Sequence, residues 1–242
     1  MTVERGPVSQ AVIICQGLRG DGLNKEQNIL FAQRNLVDSI WKSMHIEGFN
    51  TTYPQTYAIV ERAKLSNISM DEVLVANNLK MAWFLVLELI DENLSVGLIK
   101  DIHNEVARGI ALEWGKLRTG TVGVGGTGYK PPPPTEEGLN SLLEDILRIE
   151  DPRKRALFAC VELIKGQFFW DGNKRTAMLI ANKILIENGC GLLAVPLDQQ
   201  DTFSEKLNRY YDFDEKDELV AFLDKDCIET IDLSGSGDQI VS

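Results

Sequence analysis

Only two histidines, His45 and His103, and four cysteines, Cys15, Cys160, Cys190 and Cys227, occur in the 242 residues. Two histidines exclude a multi-histidine metal centre. The cysteines are scattered, no pair has metal-ligand spacing, and they read as free thiols. No apolar run reaches the roughly 18 residues of a membrane span. Val12–Cys15 is too short for a signal-peptide core and has no cleavage pattern, so the expected location is cytoplasmic. Positive charge is also scarce. Lys and Arg number 25 against 36 Asp and Glu, a net charge of −11, which argues against a general nucleic-acid binder and against docking on anionic membranes. No GxxxxGK[ST] loop is present. The glycine-rich Gly123–Gly128 is followed by a tyrosine and four prolines, so it does not open a helix as a dinucleotide fingerprint must.

Helical periodicity dominates what is there. Residues 1 to about 25 read as a loosely held arm. Ile29, Leu36, Ile40 and Met44 predict one helix over 26–46, broken by TTYPQTY at 51–57. Ser69 with Glu72 forms a capping box, and Val75, Leu79, Ala82, Val86 and Leu89 mark one face of the helix behind it. A further helix is expected from Val96 to Ile110. Residues 115–134, rich in Gly and Thr with alternate valines, predict a short hairpin leading into a polyproline stretch. Leu139, Leu142, Leu143 and Ile146 make the next helical face. Asp151-Pro152 starts another helix, striped by Leu157, Cys160, Val161 and Ile164. Ala177, Ile180, Ala181 and Ile184 line one that Gly189 ends. Two more helices flank the DFDEKDE turn at 212–218. The expected class is mainly α with one hairpin: an arm and helix over 1–48, a domain over 49–230, and a disordered tail over 231–242.

Chemistry concentrates in GQFFWDGNKRTA, Gly166–Ala177. Gly172 permits close backbone approach and a positive φ. The first N–H groups of the following helix lack internal partners and, with the helix dipole, favour an anion. Lys174 and Arg175 add charge, and a guanidinium can grip two phosphate oxygens. Asp171 repels phosphate directly but suits Mg²⁺, which bridges carboxylate and phosphates. Asn173 donates to an oxygen or holds the loop's shape. A capped turn with exposed cations is the plainer alternative. Among other residues, Trp83, Trp114 and Trp170 read as packing, Trp170 also as a possible base platform. The acidic run at 212–218 reads as a solvated turn, and Arg153, Lys154 and Arg155 as an exposed helix face.

FFWDGNKRTA, Phe168–Ala177, resembles the signature HxFx(D/E)GN(G/K)R of the Fic/Doc (Fido-domain) family. LRTGTVGVGGTGYKPP resembles the family's flap hairpin with its proline exit, and the helices around Asn77–Lys80 and Ile99–Asn104 resemble those before the flap. The similarity spans about residues 50–230. It implies a Fic-type helical bundle with a short β-hairpin flap, and transfer of a nucleotide monophosphate, most often AMP from ATP, to a protein hydroxyl. It implies that Asp171 holds Mg²⁺, that Gly172, Asn173 and Lys174 form the anion site with Arg175, that Arg175 binds phosphate, and that Phe169 anchors the loop. It also implies that a target protein adds a strand to the flap at Thr121–Gly128. Lys174 stands where many AMP-transferring members have glycine and Doc-like members lysine.

The motif histidine, the family's general base, falls at Gln167, which has no pKa near working pH and cannot take a proton. Losing a positioned base costs about 10²–10⁴ in rate, although charge stabilisation and orientation remain. His103 and His45 read as structural. Many members carry an inhibitory helix, (S/T)xxxE(G/N), whose glutamate pairs with a second motif arginine. Here Tyr57–Arg62 occupies a comparable place without matching, and Met178 replaces that arginine, so Glu61 is not expected to silence the site. Three functions follow: an AMP-transferring enzyme despite Gln167, a non-catalytic nucleotide- or protein-binding module, and a Doc-like kinase resting on Lys174.

Overall fold

The computed structural model describes residues 23–63, 68–231 and 240–241. Helix starts follow local capping chemistry. Asn24 caps α1 (Lys25–Arg34) in a capping box with Gln27, and Thr52 does the same with Gln55 for α3 (Tyr53–Val60). Ser69 and Glu72 make the expected box for α4 (Met70–Glu88). Ser95 caps α5 (Val96–Ala107), and Thr135 caps α6 (Glu136–Arg148). Asp151 caps α7 (Pro152–Gly166), with proline in the first turn where its missing N–H costs nothing. Then come α8 (Asn173–Glu187), α9 (Gln200–Phe213) and α10 (Lys216–Asp226).

Two expectations change at the N-terminal side. The single helix over 26–46 is α1 and α2 (Leu36–Ile46), separated at Asn35, whose amide donates to Phe31 O at 2.9 Å. That side-chain bond competes with the helical ladder. TTYPQTY does not merely interrupt; Pro54 lies in the first turn of α3. The arm before residue 23 lies outside the described residues.

Helix α8 is the centre of the molecule. All of its residues except Lys174 and Glu187 are buried. It packs most extensively against α7 and also meets α1, α4 and α5. Ile180, Ala181 and Ile184 share one continuous core with Leu157, Cys160, Val161 and Ile164 of α7. Its buried Asn182 donates to Leu193 O at 2.9 Å and accepts from Leu193 N at 2.8 Å. These bonds fix β1 (Leu192–Leu193) beside the helix.

The paired strands are not where the alternate valines suggest. β1, β2 (Ile228–Ile231) and β3 (Ile240–Val241) form a small antiparallel sheet in that order, with Leu192 opposite Glu229 and Thr230 opposite Val241. Ile231 and Ile240–Val241 are thus strand positions within the stretch expected as a tail; 232–239 lie outside the described residues. The flap reverses through one turn, Thr127 N to Val124 O at 3.2 Å, and no ladder joins its arms among the described residues. Three side chains also depart from expectation. Trp114 is exposed rather than packed. Arg153 pairs with Asp224, and Arg155 donates to Ile149 O at 2.7 Å, so neither is a free surface charge.

Candidate functional site

The connection from α7 to α8, residues 167–172, is the site. Gln167 ends α7 in the left-handed region, φ 44° and ψ 51°, a conformation that disfavours a side chain and needs support. Its amide supplies that support. Nε2 donates to Ile164 O at 2.8 Å and to Tyr211 Oη at 3.0 Å, and Oε1 accepts from Asn173 Nδ2 at 3.2 Å. Both ends of the Gln167 side chain are therefore engaged inside the protein.

Asn173 closes the loop on itself. Its Oδ1 accepts from Phe169 N at 3.0 Å and its Nδ2 donates to Phe169 O at 2.9 Å. Of the two roles open to it in sequence, the geometry is that of holding shape. Phe169 is buried and lies flat on His103. The His103 ring accepts from Gly115 N at 3.0 Å through Nδ1, so its proton sits on Nε2 and points at Asp171 O, 2.9 Å away. Burial depresses its pKa to about 4, opposed by the hydrogen bond to Asp171 and aided to a lesser degree by the Arg175 charge. At neutral pH it is an uncharged clamp on the loop.

Gly172 caps α8 with φ +78°, and α8 receives no side-chain cap. Its leading N–H groups thus remain available to a ligand. Arg175 stands beside them, 4% exposed. Nη2 donates to Asp171 Oδ1 at 2.9 Å, while Nε and Nη1 have no hydrogen-bond acceptor. The neighbouring Thr176 hydroxyl is also buried without a partner. Unmet donors in a buried guanidinium are costly, and an anion would satisfy them. Lys174 is engaged by the end of α2, with Nζ 3.2 Å from Ile46 O and 3.6 Å from Glu47 Oε2.

Asp171 is 47% exposed on its side chain, and Oδ1 is taken by Arg175 and by Gly172 N. No cluster of three or more His, Cys, Asp or Glu exists among the described residues. One half-exposed carboxylate beside an anion site fits Mg²⁺ carried on a polyphosphate, for that ion commonly keeps waters and takes one or two carboxylates.

One acidic residue at the site escapes the sequence reading. Glu47, after the end of α2, holds Oε1 3.6 Å from Arg175 Nε. Ser43-Met44-His45-Ile46-Glu47-Gly48 meets the (S/T)xxxE(G/N) pattern in full, and Gly48 has φ +85°. A search one helix before Tyr57 would have found it. Glu61 lies exposed just past the end of α3.

A sequence model of the Fic/DOC family matches residues 93–185, the run from just before α5 nearly to the end of α8. The chain is 32% identical over 209 residues to a protein adenylyltransferase Fic of Drosophila willistoni, and 31% over 212 residues to one of Drosophila persimilis. The chain belongs to the Fic/DOC family. Each fly alignment takes in 80% of this chain but 40% of the relative, so the chain spans about two fifths of the length of these relatives. Among solved structures, the Fic/DOC fold is shared with Fic-1 from C. elegans at TM-score 0.65 and 22% identity, over 87% of this chain and 64% of that one. A Fic domain containing signaling protein from Bacteroides thetaiotaomicron matches at TM-score 0.68 and 18% identity, over 84% of this chain and 87% of that one. No described helix is long and apolar enough to cross a membrane.

Proposed function

We propose that this Fic/DOC domain binds ATP with Mg²⁺ at the N-terminus of α8 and transfers AMP to a hydroxyl of a target protein. The observation that carries the reading is Arg175: almost wholly buried, beside an uncapped helix end, with Nε and Nη1 lacking acceptors. A phosphate group meets all of those needs at once. Relatives named protein adenylyltransferase Fic support the choice of AMP as the group moved.

In that reaction the target oxygen bonds to the α-phosphorus, the bond from that phosphorus to the bridging oxygen breaks, and pyrophosphate leaves. Arg175 and the first N–H groups of α8 stabilise the charge on the phosphates. Asp171 would hold Mg²⁺, which when bound neutralises phosphate charge. The hydroxyl proton passes to solvent or to the departing pyrophosphate, because Gln167 cannot accept it. Transfer is then slow, by about 10²–10⁴ relative to a site with a positioned base. The target segment lies along the flap, Thr121–Gly128.

A non-catalytic nucleotide-binding module is the second reading. It is favoured by the internal bonds that occupy both ends of the Gln167 amide. A Doc-like kinase, resting on Lys174, is the third reading; Lys174 Nζ lies 3.2 Å from Ile46 O and 3.6 Å from Glu47 Oε2.

Incubation with Mg²⁺ and α- or γ-labelled ATP in a bacterial lysate, beside Gln167→His and Arg175→Ala, separates these readings. Transfer predicts an α-labelled protein band from wild type that Arg175→Ala abolishes. A band from Gln167→His alone favours the binding module. A γ-labelled product would mean kinase chemistry. Absence of any thermal stabilisation of the wild type by Mg²⁺-ATP would overturn the anion site itself.

A further inference from the structure

Arg118 is 2% exposed and forms no ion pair with a carboxylate among the described residues. Each of its nitrogens instead donates to, or reaches, a backbone oxygen. Its own N–H donates to Phe168 O at 3.0 Å. Nε donates to Gln167 O at 2.6 Å, Nη1 to Gly120 O at 2.5 Å, and Nη2 to Pro132 O at 2.6 Å. Two of these acceptors are successive carbonyls of the α7–α8 loop. The third lies on the arm that enters the flap and the fourth on the arm that leaves it. A buried cation is tolerated only where hydrogen bonds replace its hydration, and here that replacement joins the neighbouring Gly120 to Pro132 and to the α7–α8 loop.

The flap arms do not bond to each other in a ladder, so their spacing has to be set from elsewhere. Arg118 holds both arms at their base and fixes them to the residue in the base position of the motif. Two further contacts close the same unit. Gly120 abuts the Trp170 ring, where a Cβ would lie 2.5 Å from Cη2. Tyr129 stacks on Tyr211, whose hydroxyl accepts from Gln167.

We propose that Arg118 is a positioning residue: it sets the register between the flap and the α7–α8 loop, and so where a target segment on the flap lies relative to the bound phosphates. The consequence for the target rests on the nucleotide-transfer reading; the flap register does not. A planar guanidinium can address three carbonyls at fixed angles, whereas a lysine ammonium carries the charge without that fork.

The test compares wild type with Arg118→Lys and Arg118→Gln, both by hydrogen exchange and by labelling with α-labelled ATP and Mg²⁺ in lysate. In Arg118→Lys, amides over 119–132 exchange at least tenfold faster, while those of α7 and α8 keep wild-type protection. The ATP concentration for half-maximal labelling stays within twofold, while the rate at saturating ATP falls about a hundredfold, the cost of a displacement near 1 Å. Unchanged flap exchange in both variants would overturn the proposal, as would uniformly faster exchange across the whole chain, which would mark Arg118 as a general staple. Should wild type show no response to Mg²⁺-ATP, the transfer reading fails while the exchange comparison still decides the role of Arg118.

Discussion

The carboxylate of Glu47 and the guanidinium of Arg175 face each other at 3.6 Å, both largely shielded from water. An incoming phosphate has to displace or share that carboxylate. Glu47→Gln keeps the shape and removes the charge. It is expected to tighten Mg²⁺-ATP binding about fivefold to tenfold, on the order of 1 kcal/mol, read by calorimetric titration. Equal or weaker binding in the variant counts against competition at Arg175.

His103 makes stability depend on pH. Its folded pKa is depressed to about 4 from an ordinary 6.5, chiefly by burial. A depressed value means that the unfolded chain binds the proton first on acidification. The stabilisation is therefore whole above pH 6.5 and drains away as pH falls toward 4, by about 3 kcal/mol in total. Urea unfolding at pH 7 and pH 4.5 measures it. His103→Gln should flatten the dependence in that window, and an identical slope in wild type and variant would refute the assignment.

Asn173→Ala removes a partner from both backbone groups of Phe169, at 3.0 and 2.9 Å, and from Gln167 Oε1. Leaving buried groups unmet costs about 2–3 kcal/mol in all. Urea midpoints should fall accordingly, and the thermal response to Mg²⁺-ATP should vanish at temperatures where the fold survives. A variant that binds as wild type would show the loop to be held by other means.

Gly120→Ala places a methyl against the Trp170 ring. Overpacking of this kind costs about 1–3 kcal/mol and must push either the ring or the flap aside. The indole N–H resonance of Trp170 should shift while those of Trp41 and Trp83 do not. No shift would mean that the ring has room to yield.

Much of this architecture is legible in sequence because its signals are local. Ser69 and Glu72 predict a helix start that needs no tertiary partner, as does Asp151-Pro152. The loop is legible for the same reason: Asp171, Gly172, Asn173 and Arg175 are contiguous. The misses are of two kinds. At Asn35 the apolar period from Ile29 to Met44 runs straight through the break, and only the Asn35 to Phe31 bond reveals it. At the flap, alternate valines suggest a ladder, yet the carbonyls of Gly120 and Pro132 accept from the Arg118 side chain rather than from backbone N–H groups of the facing arm. The second kind is distance along the chain. Arg118 and Tyr211 reach the loop from far-removed segments, and no local pattern ties them to it; Glu47 is as far removed, but its Ser43–Gly48 pattern marks it.

The enclosure of α8 carries a consequence for regulation. Amides of a helix with almost no solvent-facing residue exchange chiefly when the whole molecule opens. Its first turn cannot loosen by local fraying without disturbing the centre of the protein. Control of the site therefore has to arrive sideways, through neighbours such as the end of α2. Occupancy, in turn, propagates to the entire chain: a ligand at a hundred times its dissociation constant adds about 2.7 kcal/mol to global stability, so protease resistance of the full chain would report on a contact confined to a few residues.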